Sequence, residues 1–238
     1  MYYIGCSGWF YWHWKGKFYP EDIPQSRWFR YYAEKFATVE LNAPFYRFPK
    51  TSTAKGWYKN SPKDFIFTLK VNRTITHIKR FKGTARLIKD FYRLGDEVKE
   101  KMGCFLFQLP PNIRYSESKL QEILRQLDPR KKNILEFRHE SWFIDDVYEE
   151  LKKNGVIFCI VSTPKLPDTF VKTADDVYIR FHGPASRYSS DYSNKELQSW
   201  AKRIRQSGAK NVWAYFNNDY NAYAPKNALY LRKLLQEA

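Results

Sequence analysis

The sequence predicts a single (β/α)8 barrel of the TIM type. Three observations predict it. Eight strand-like runs alternate with helix-like stretches along 238 residues, a length that suits one large domain. No linker, low-complexity tract or internal repeat divides the chain, so one domain is expected over residues 1–238. Several strand-like runs also end in polar residues spaced two apart, at the strand ends where a barrel gathers functional side chains. A doubly wound open sheet is the alternative that the same alternation allows.

The first strand is read over Tyr2–Cys6. Trp9-Phe10-Tyr11-Trp12-His13-Trp14 follows it, flanked by Lys15 and Lys17. Exposed aromatics beside basic residues can stack bases, whereas packing between neighbouring loops is the simpler role for such a run. A helix over Arg27–Phe36 leads to strand two, Thr38–Leu41. Thr51 or Ser52 can cap a helix over Thr51–Asn60, and strand three covers Phe65–Val71. Thr84–Lys101 places Leu87, Ile88, Phe91, Leu94 and Val98 near one helical face. Strand four (Cys104–Leu109), a helix over Ser116–Leu127 and strand five (Asn133–Phe137) follow. The helix Ser141–Lys153 stops at Asn154-Gly155, and strand six is Val156–Val161. Ser162–Asp176 is short and contains proline, so this βα unit is expected to be irregular. Strand seven (Val177–Phe181), a helix over Ser193–Gln206 ending at Gly208, strand eight (Asn211–Phe216) and a helix over Pro225–Gln236 complete the chain.

Residues i and i+2 of a strand share a face. With the bulky apolar residues turned toward the helices, Glu40 and Asn42 point inward from strand two, and Thr68 and Lys70 from strand three. Gln108 does so from strand four, and Glu136 and Arg138 from strand five. Tyr178, Arg180 and His182 face inward from strand seven, and Trp213, Tyr215 and Asn217 from strand eight. Strand six offers nothing polar before Ser162. Charged side chains are rarely buried unless paired. A salt-bridge lattice closing the barrel top is therefore the structural alternative to a functional pocket.

Glu40, Glu136, His182 and Tyr215 are the residues expected to do general acid–base work, their proton affinities being split by burial and neighbouring cations. Arg138 and Arg180, with Lys70, suit a phosphate or carboxylate clamp. Asn42, Gln108, Asn217, Trp9 and Tyr188 are expected to contact the substrate, with Asn112, Trp142 and His77 on nearby loops. Glu40, Glu136, His139 and His182 are metal-ligand types, but their spacing matches no strong metal motif and three nearby cations oppose a divalent ion, so no metal ligands are assigned. GxxxxGK[ST], HExxH and CxxC motifs are absent, and no motif specifies a cofactor.

Composition agrees with a folded basic protein. The apolar fraction is 43% and the aromatic fraction 18%. No apolar run approaches the ~18 residues of a membrane span. Met1-Tyr2-Tyr3-Ile4-Gly5 lacks the basic start of a signal peptide. Cys6, Cys104 and Cys159 lie in apolar runs and suit a reducing cytoplasm. Forty-one Lys and Arg against 25 acids give +16, and Lys70–Lys101 alone carries ten cations and four acids. Such a field favours an anionic small molecule or nucleic acid as partner.

The same residues carry a family resemblance. Gly5-Cys6-Ser7-Gly8-Trp9, Phe18-Tyr19-Pro20, Thr38-Val39-Glu40-Leu41-Asn42 with Phe45-Tyr46, and Gln108-Leu109-Pro110-Pro111 are its first segments. Glu136-Phe137-Arg138-His139 with Ser141-Trp142, Arg180-Phe181-His182-Gly183, and Phe216-Asn217-Asn218-Asp219 with Ala222-Tyr223-Ala224 and Asn227 are the others. Over nearly the whole chain the sequence resembles the YecE-like family, the domain of unknown function numbered 72. It departs at Cys6, where threonine is common, and at Ala43-Pro44, where Ser-Thr is common. The resemblance implies a TIM-type barrel and supplies no reaction. The reading from the residues is an enzyme hydrolysing an anionic, phosphate-bearing substrate by acid–base chemistry. A non-catalytic nucleic-acid-binding barrel and a sugar-directed enzyme are the alternatives.

Overall fold

The computed structural model describes residues 1–237. β1 (Tyr2–Ser7), β2 (Thr38–Leu41), β3 (Ile66–Lys70), β4 (Met102–Gln108), β5 (Asn133–Glu136), β6 (Ile157–Ser162), β7 (Val177–Phe181) and β8 (Val212–Phe216) pair in parallel in chain order. β8 closes on β1 along Tyr2↔Val212 to Cys6↔Phe216. Outside the barrel run α1 (Trp28–Lys35), α3 (Thr51–Asn60), α4 (Ala85–Asp96), α5 (Glu117–Leu124), α6 (Asp145–Lys153), α7 (Asn194–Gln206) and α8 (Tyr223–Gln236), while α2 (Ala43–Tyr46) is a single turn after β2. Among the described residues no helix is long and apolar enough to cross a membrane.

The alternation along the strands builds two cores. Outward residues such as Val39, Phe67, Phe107, Leu135, Ile179 and Phe216 pack under the helices. Inward residues Cys104, Leu106, Ile134, Cys159, Tyr178, Trp213 and Tyr215 fill the barrel. The three cysteines are buried and free. Polar groups plug the end at which the strands begin. There Asp176 accepts from Trp213 Nε1 (3.1 Å) and Asn211 Nδ2 (2.8 Å) and pairs with Lys132. A concavity of about 720 Å³ beside this plug is lined by Lys131, Lys132, Lys172 and Lys210 with Asp175 and Asp176. It lies at the opposite end from the converging polar strand ends, where this fold places its chemistry.

β1 and β2 pair only at Cys6↔Val39 and Ser7↔Glu40. Below that, Tyr32 from α1 fills the seam. Its hydroxyl accepts from Cys6 N–H (2.8 Å) and donates to the Thr38 carbonyl (3.0 Å). A Cβ on Gly5 would lie 2.4 Å from that carbonyl, so the close approach requires glycine.

Residues 163–176, between β6 and β7, form no helix, as their prolines led us to expect. Thr173 pins this stretch, its hydroxyl donating to Val156 O (2.7 Å) and accepting from Phe158 N–H (2.8 Å). Three predicted helices are shorter than expected, one of them α5, which ends at Leu124 rather than Leu127. α4 ends at Asp96, and a separate 3₁₀ turn at Lys99–Lys101, which begins at a left-handed Lys99 (φ 54°), follows it. α6 starts at Asp145, because Glu140–Trp142 forms a separate 3₁₀ turn. α2 and a π-helical turn at Thr74–Ile78 are elements the sequence reading lacked, since four or five residues carry no readable period.

Candidate functional site

Arg180 stands at the centre of the barrel mouth. From β7 its Nη2 donates to Glu40 Oε1 on β2 (2.6 Å) and its Nη1 to Glu136 Oε2 on β5 (2.7 Å). The other Glu40 oxygen accepts from Tyr178 Oη (2.5 Å). Arg138 Nε meets Glu136 Oε1 at 2.5 Å. Glu40, Glu136 and Arg180 are fully buried, and Arg138 nearly so. Two carboxylates and two guanidiniums sum to zero. The lattice foreseen as the structural alternative is therefore present, and its four charges cancel. Burial alone would raise the Glu136 carboxyl, but the Arg138 and Arg180 guanidiniums hold it well below the usual carboxylate range. Burial opposes the charge on Arg180, and Glu136 and Glu40 more than restore it.

His182 sits beside this lattice, fully buried. Its Nε2 lies 2.9 Å from Arg138 Nη2 and 3.2 Å from Glu136 Oε1. Its Nδ1 lies 3.3 Å from the Asn217 amide. Burial and then the two guanidiniums push its proton affinity well below the ordinary value, leaving a neutral imidazole. One proton then serves two demands. With the proton on Nε2 the ring donates to Glu136, and with it on Nδ1 the ring accepts from Arg138.

Lys70, at the end of β3, is partly exposed. Among the described residues it makes no ion pair. Its Nζ lies 4.1 Å from the centre of the Phe45 ring. Burial and the Arg180 charge lower its pKa from 10.5 to about 7, against the pull of Glu136 and Glu40. The His77 ring stands nearly perpendicular to the same phenyl ring, centroids 4.9 Å apart, and burial with the Lys70 and Arg73 charges brings this histidine down to about 4. Asn72 fixes the arrangement. Its Nδ2 donates to the carbonyls of Pro44 (2.8 Å) and Phe45 (3.3 Å), while its Oδ1 accepts from Thr74 N–H (2.9 Å). The α2 turn and the π turn are thereby tied to the end of β3.

The remaining predicted residues divide by depth. Tyr215 does not reach the mouth, contrary to its expected catalytic role. Its hydroxyl lies between those of Thr38 (2.7 Å) and Thr68 (2.9 Å), two residues before Glu40 and Lys70 on their strands. Burial holds it protonated. Glu40 points into the mouth layer, where both its oxygens are occupied and shielded, as are those of Glu136. Asn42, Gln108 and Asn217 are partly exposed at the strand ends. Trp9 packs on Phe29 (4.8 Å), and Tyr188 is exposed with its ring edge-on to His182 at 5.5 Å. Trp142 is buried against Phe137 with its Nε1 donating to Ile113 O (2.8 Å), while Asn112 is exposed. Trp14 is buried in the same way, whereas Phe10 and Trp12 lie outside over Trp28. Phe45 and Asn72 were not singled out as site residues. Both lie in elements without a periodic signal, although Phe45 belongs to a segment that carries the family resemblance.

Two distributions mark this face of the molecule. Seven buried side-chain polar atoms lack a hydrogen-bond partner among the described residues. Six lie at or just beyond strand C-termini: Ser7 Oγ, Asn42 Oδ1, Arg138 Nε, Thr163 Oγ1, Arg180 Nε and Asn218 Oδ1. Of these, Arg138 Nε touches Glu136 as an ion pair without the alignment of a hydrogen bond. Buried polar atoms are normally satisfied by protein or ordered water, so the gathering of six at one end of the barrel singles that end out. Exposed large apolar side chains concentrate on the same face. Phe10, Trp12, Tyr46, Phe48, Ile78, Ile144, Tyr188 and Tyr220 all lie on the loops that follow strands. Arg47, Arg73, Arg80, Arg114 and Arg187 are exposed among them. No group of three or more metal-ligating side chains occurs among the described residues.

The chain is similar throughout its length to known proteins. UPF0759 protein YunF of Bacillus subtilis is 27% identical, with 99% of this chain and 95% of that protein covered. UPF0759 protein YecE of Escherichia coli K12 is 27% identical over 74% of this chain and 73% of its own length. The solved structure of a DUF72 family protein from Thermotoga maritima superposes with a TM-score of 0.88 at 30% identity, covering 99% of both chains. One from Enterococcus faecalis gives 0.86 at 21% identity, covering 99% of this chain and 96% of its own, and so shares the fold. The model of the family described as "Protein of unknown function DUF72" matches residues 3–238, so a barrel mouth of this construction belongs to a member of the DUF72 family.

Proposed function

We propose that the chain is an enzyme whose barrel mouth binds a phosphate-bearing substrate, with single-stranded nucleic acid as the macromolecular form that suits the rim. The observation that carries this reading is the interleaving of exposed aromatic and arginine side chains on the loops around the mouth. Aromatic faces stack bases without regard to sequence, and guanidiniums pair with phosphate oxygens two bonds at a time. Because the lattice beneath is neutral, the attraction for an anion comes from this rim and from the overall charge of +16.

The reaction class we assign is acid–base hydrolysis, with His182 and Glu136 as the pair that carries the proton. Glu136 stays ionised, and a neutral His182 at 3.2 Å can accept a proton and be stabilised as the imidazolium by that carboxylate. Asn42, Gln108 and Asn217 supply the remaining polar contacts at the mouth. A second reading, a binding module without turnover, is favoured by the saturation of Glu40 and Glu136 inside the lattice.

Binding of a fluorescent single-stranded oligonucleotide and turnover on phosphodiester and phosphomonoester panels test the reading. Arg138→Ala is expected to weaken binding, and His182→Asn to abolish turnover while binding persists. Binding without turnover on any panel would select the module. Oligonucleotide affinity indifferent to both Arg138→Ala and Trp12→Ala would overturn the assignment of the mouth.

A further inference from the structure

We propose that Lys70 is a nucleophilic amine that condenses with a carbonyl group of the substrate, so that the mouth takes an aldehyde or ketone bearing a phosphate. The phosphate in this statement rests on the function proposed above, whereas the imine rests on Lys70 alone.

The other lysines that are withdrawn from water in this fold have acceptors. Lys101 donates to Tyr58 O, Ser61 O and Ser61 Oγ, each at 2.9 Å, and Lys132 pairs with Asp176. Lys70 stands at a strand end in the mouth with neither an ion pair nor a hydrogen bond among the described residues, and only the Phe45 ring faces it. The charged groups around it are Arg180, Glu136, Glu40 and Arg138, and His77 packs on the same phenyl ring. Both carboxylates are already bound to guanidiniums, so neither closes on the amine. A lysine desolvated beside other cations loses its proton near neutrality, and the free amine is the nucleophile. Such a residue is a poor permanent clamp for phosphate, and without a partner it is a poor structural strut. The Asn72 bonds that hold Phe45 over it give the amine one fixed direction of approach.

The step balances without a redox partner. The nitrogen lone pair forms a C–N bond to the carbonyl carbon, and the C=O π pair moves to oxygen, which is protonated. The nitrogen loses a proton to water, and the carbinolamine hydroxyl takes up a proton from water and leaves as water while the nitrogen lone pair forms C=N, giving the protonated imine. The protonated imine restores a cation against Phe45, where the ammonium stood, and the ring face favours it.

The experiment treats the intact protein at pH 7 with glyceraldehyde phosphate or glyceraldehyde in the presence of cyanoborohydride, which reduces an iminium to a stable secondary amine. Peptide mass mapping locates the adducts. Lys70 is expected to be labelled at least ~10-fold faster than any other lysine, because an unperturbed amine is almost wholly protonated at this pH. Labelling of Lys70 should climb with pH through about 7. Lys70→Arg, which keeps the cation, should lose the adduct. If that variant does not fold, the pH profile of labelling in the native protein still decides. Adducts spread over surface lysines, or Lys70 labelling that rises only near pH 10, would overturn the proposal. Equal capture of the two aldehydes would leave the imine standing and remove the phosphate. An unlabelled Lys70 in a protein from which inorganic phosphate displaces the oligonucleotide would remove the imine and leave the phosphate.

Discussion

Arg180 is the side chain on which the mouth depends, since it is the one counter-charge bonded to both buried carboxylates. Arg180→Met leaves Glu40 and Glu136 short of a partner, and breaking a buried pair in this way costs about 3–5 kcal/mol. A matching fall in the urea midpoint would be measured. The histidines make stability depend on pH. His182 and His77 are both depressed in the fold, so below the ordinary histidine value of ~6.5 the unfolded chain binds protons that the native chain refuses. Stability is therefore full above that value and falls as pH drops through it, with the His77 contribution lost by about 4. Glu136, also depressed, adds its loss below the ordinary carboxylate range. Denaturation series between pH 7 and 4 should show the histidine slope, and His77→Phe should flatten part of it. Lys70 acts in the other direction of pH. Its native value of about 7 lies below its unfolded one, so stability should rise from pH 7 toward 10 as the unfolded chain gives up its proton. Lys70→Met should remove that rise and stabilise the protein at pH 7 by at least ~1 kcal/mol, since a tenfold loss of proton affinity on folding corresponds to about 1.4 kcal/mol.

At the scale of elements, the seam between β1 and β2 is the join that side chains must complete. Tyr32→Phe leaves the Cys6 N–H and the Thr38 carbonyl without their bridge in a buried place. The expected cost is about 1–3 kcal/mol, read as a lowered Tm with faster hydrogen exchange at the Cys6 amide. Most strands and helices were legible because alternation and helical period are local properties of the chain, and Ser193 with Glu196 forms the capping box that starts α7. The α2 turn and the Thr74–Ile78 π turn were not legible. Tertiary bonds from Asn72 hold them, and short elements of this kind recur at functional sites.

Over the whole molecule, charge and aromatic surface are distributed unequally. Eight exposed large apolar side chains lie on the loops around the mouth, while Met1 and Tyr2 lie at the other end. If a nucleic-acid strand lies across this rim, the logarithm of its binding constant should fall with the logarithm of salt at about 0.7 per phosphate engaged. Three to five contacts then give a slope of roughly −2 to −3.5 in a titration series. A slope near zero would mean that the +16 charge plays no part in binding.

The sequence by itself determined the barrel, its irregular sixth unit and the set of polar side chains that face inward, because a period of two is built into an extended backbone. It did not determine partners or depth. Glu40, Glu136 and Arg180 meet across the barrel from β2, β5 and β7, and Tyr215 ends between two threonines below them. Those meetings depend on strand tilt and closure, which no local pattern encodes. The tertiary structure decided that the four lattice charges cancel, that His182 is neutral and that Lys70 is left without an acid. Desolvation and the distances between charges set these outcomes, and both exist only once the barrel is closed.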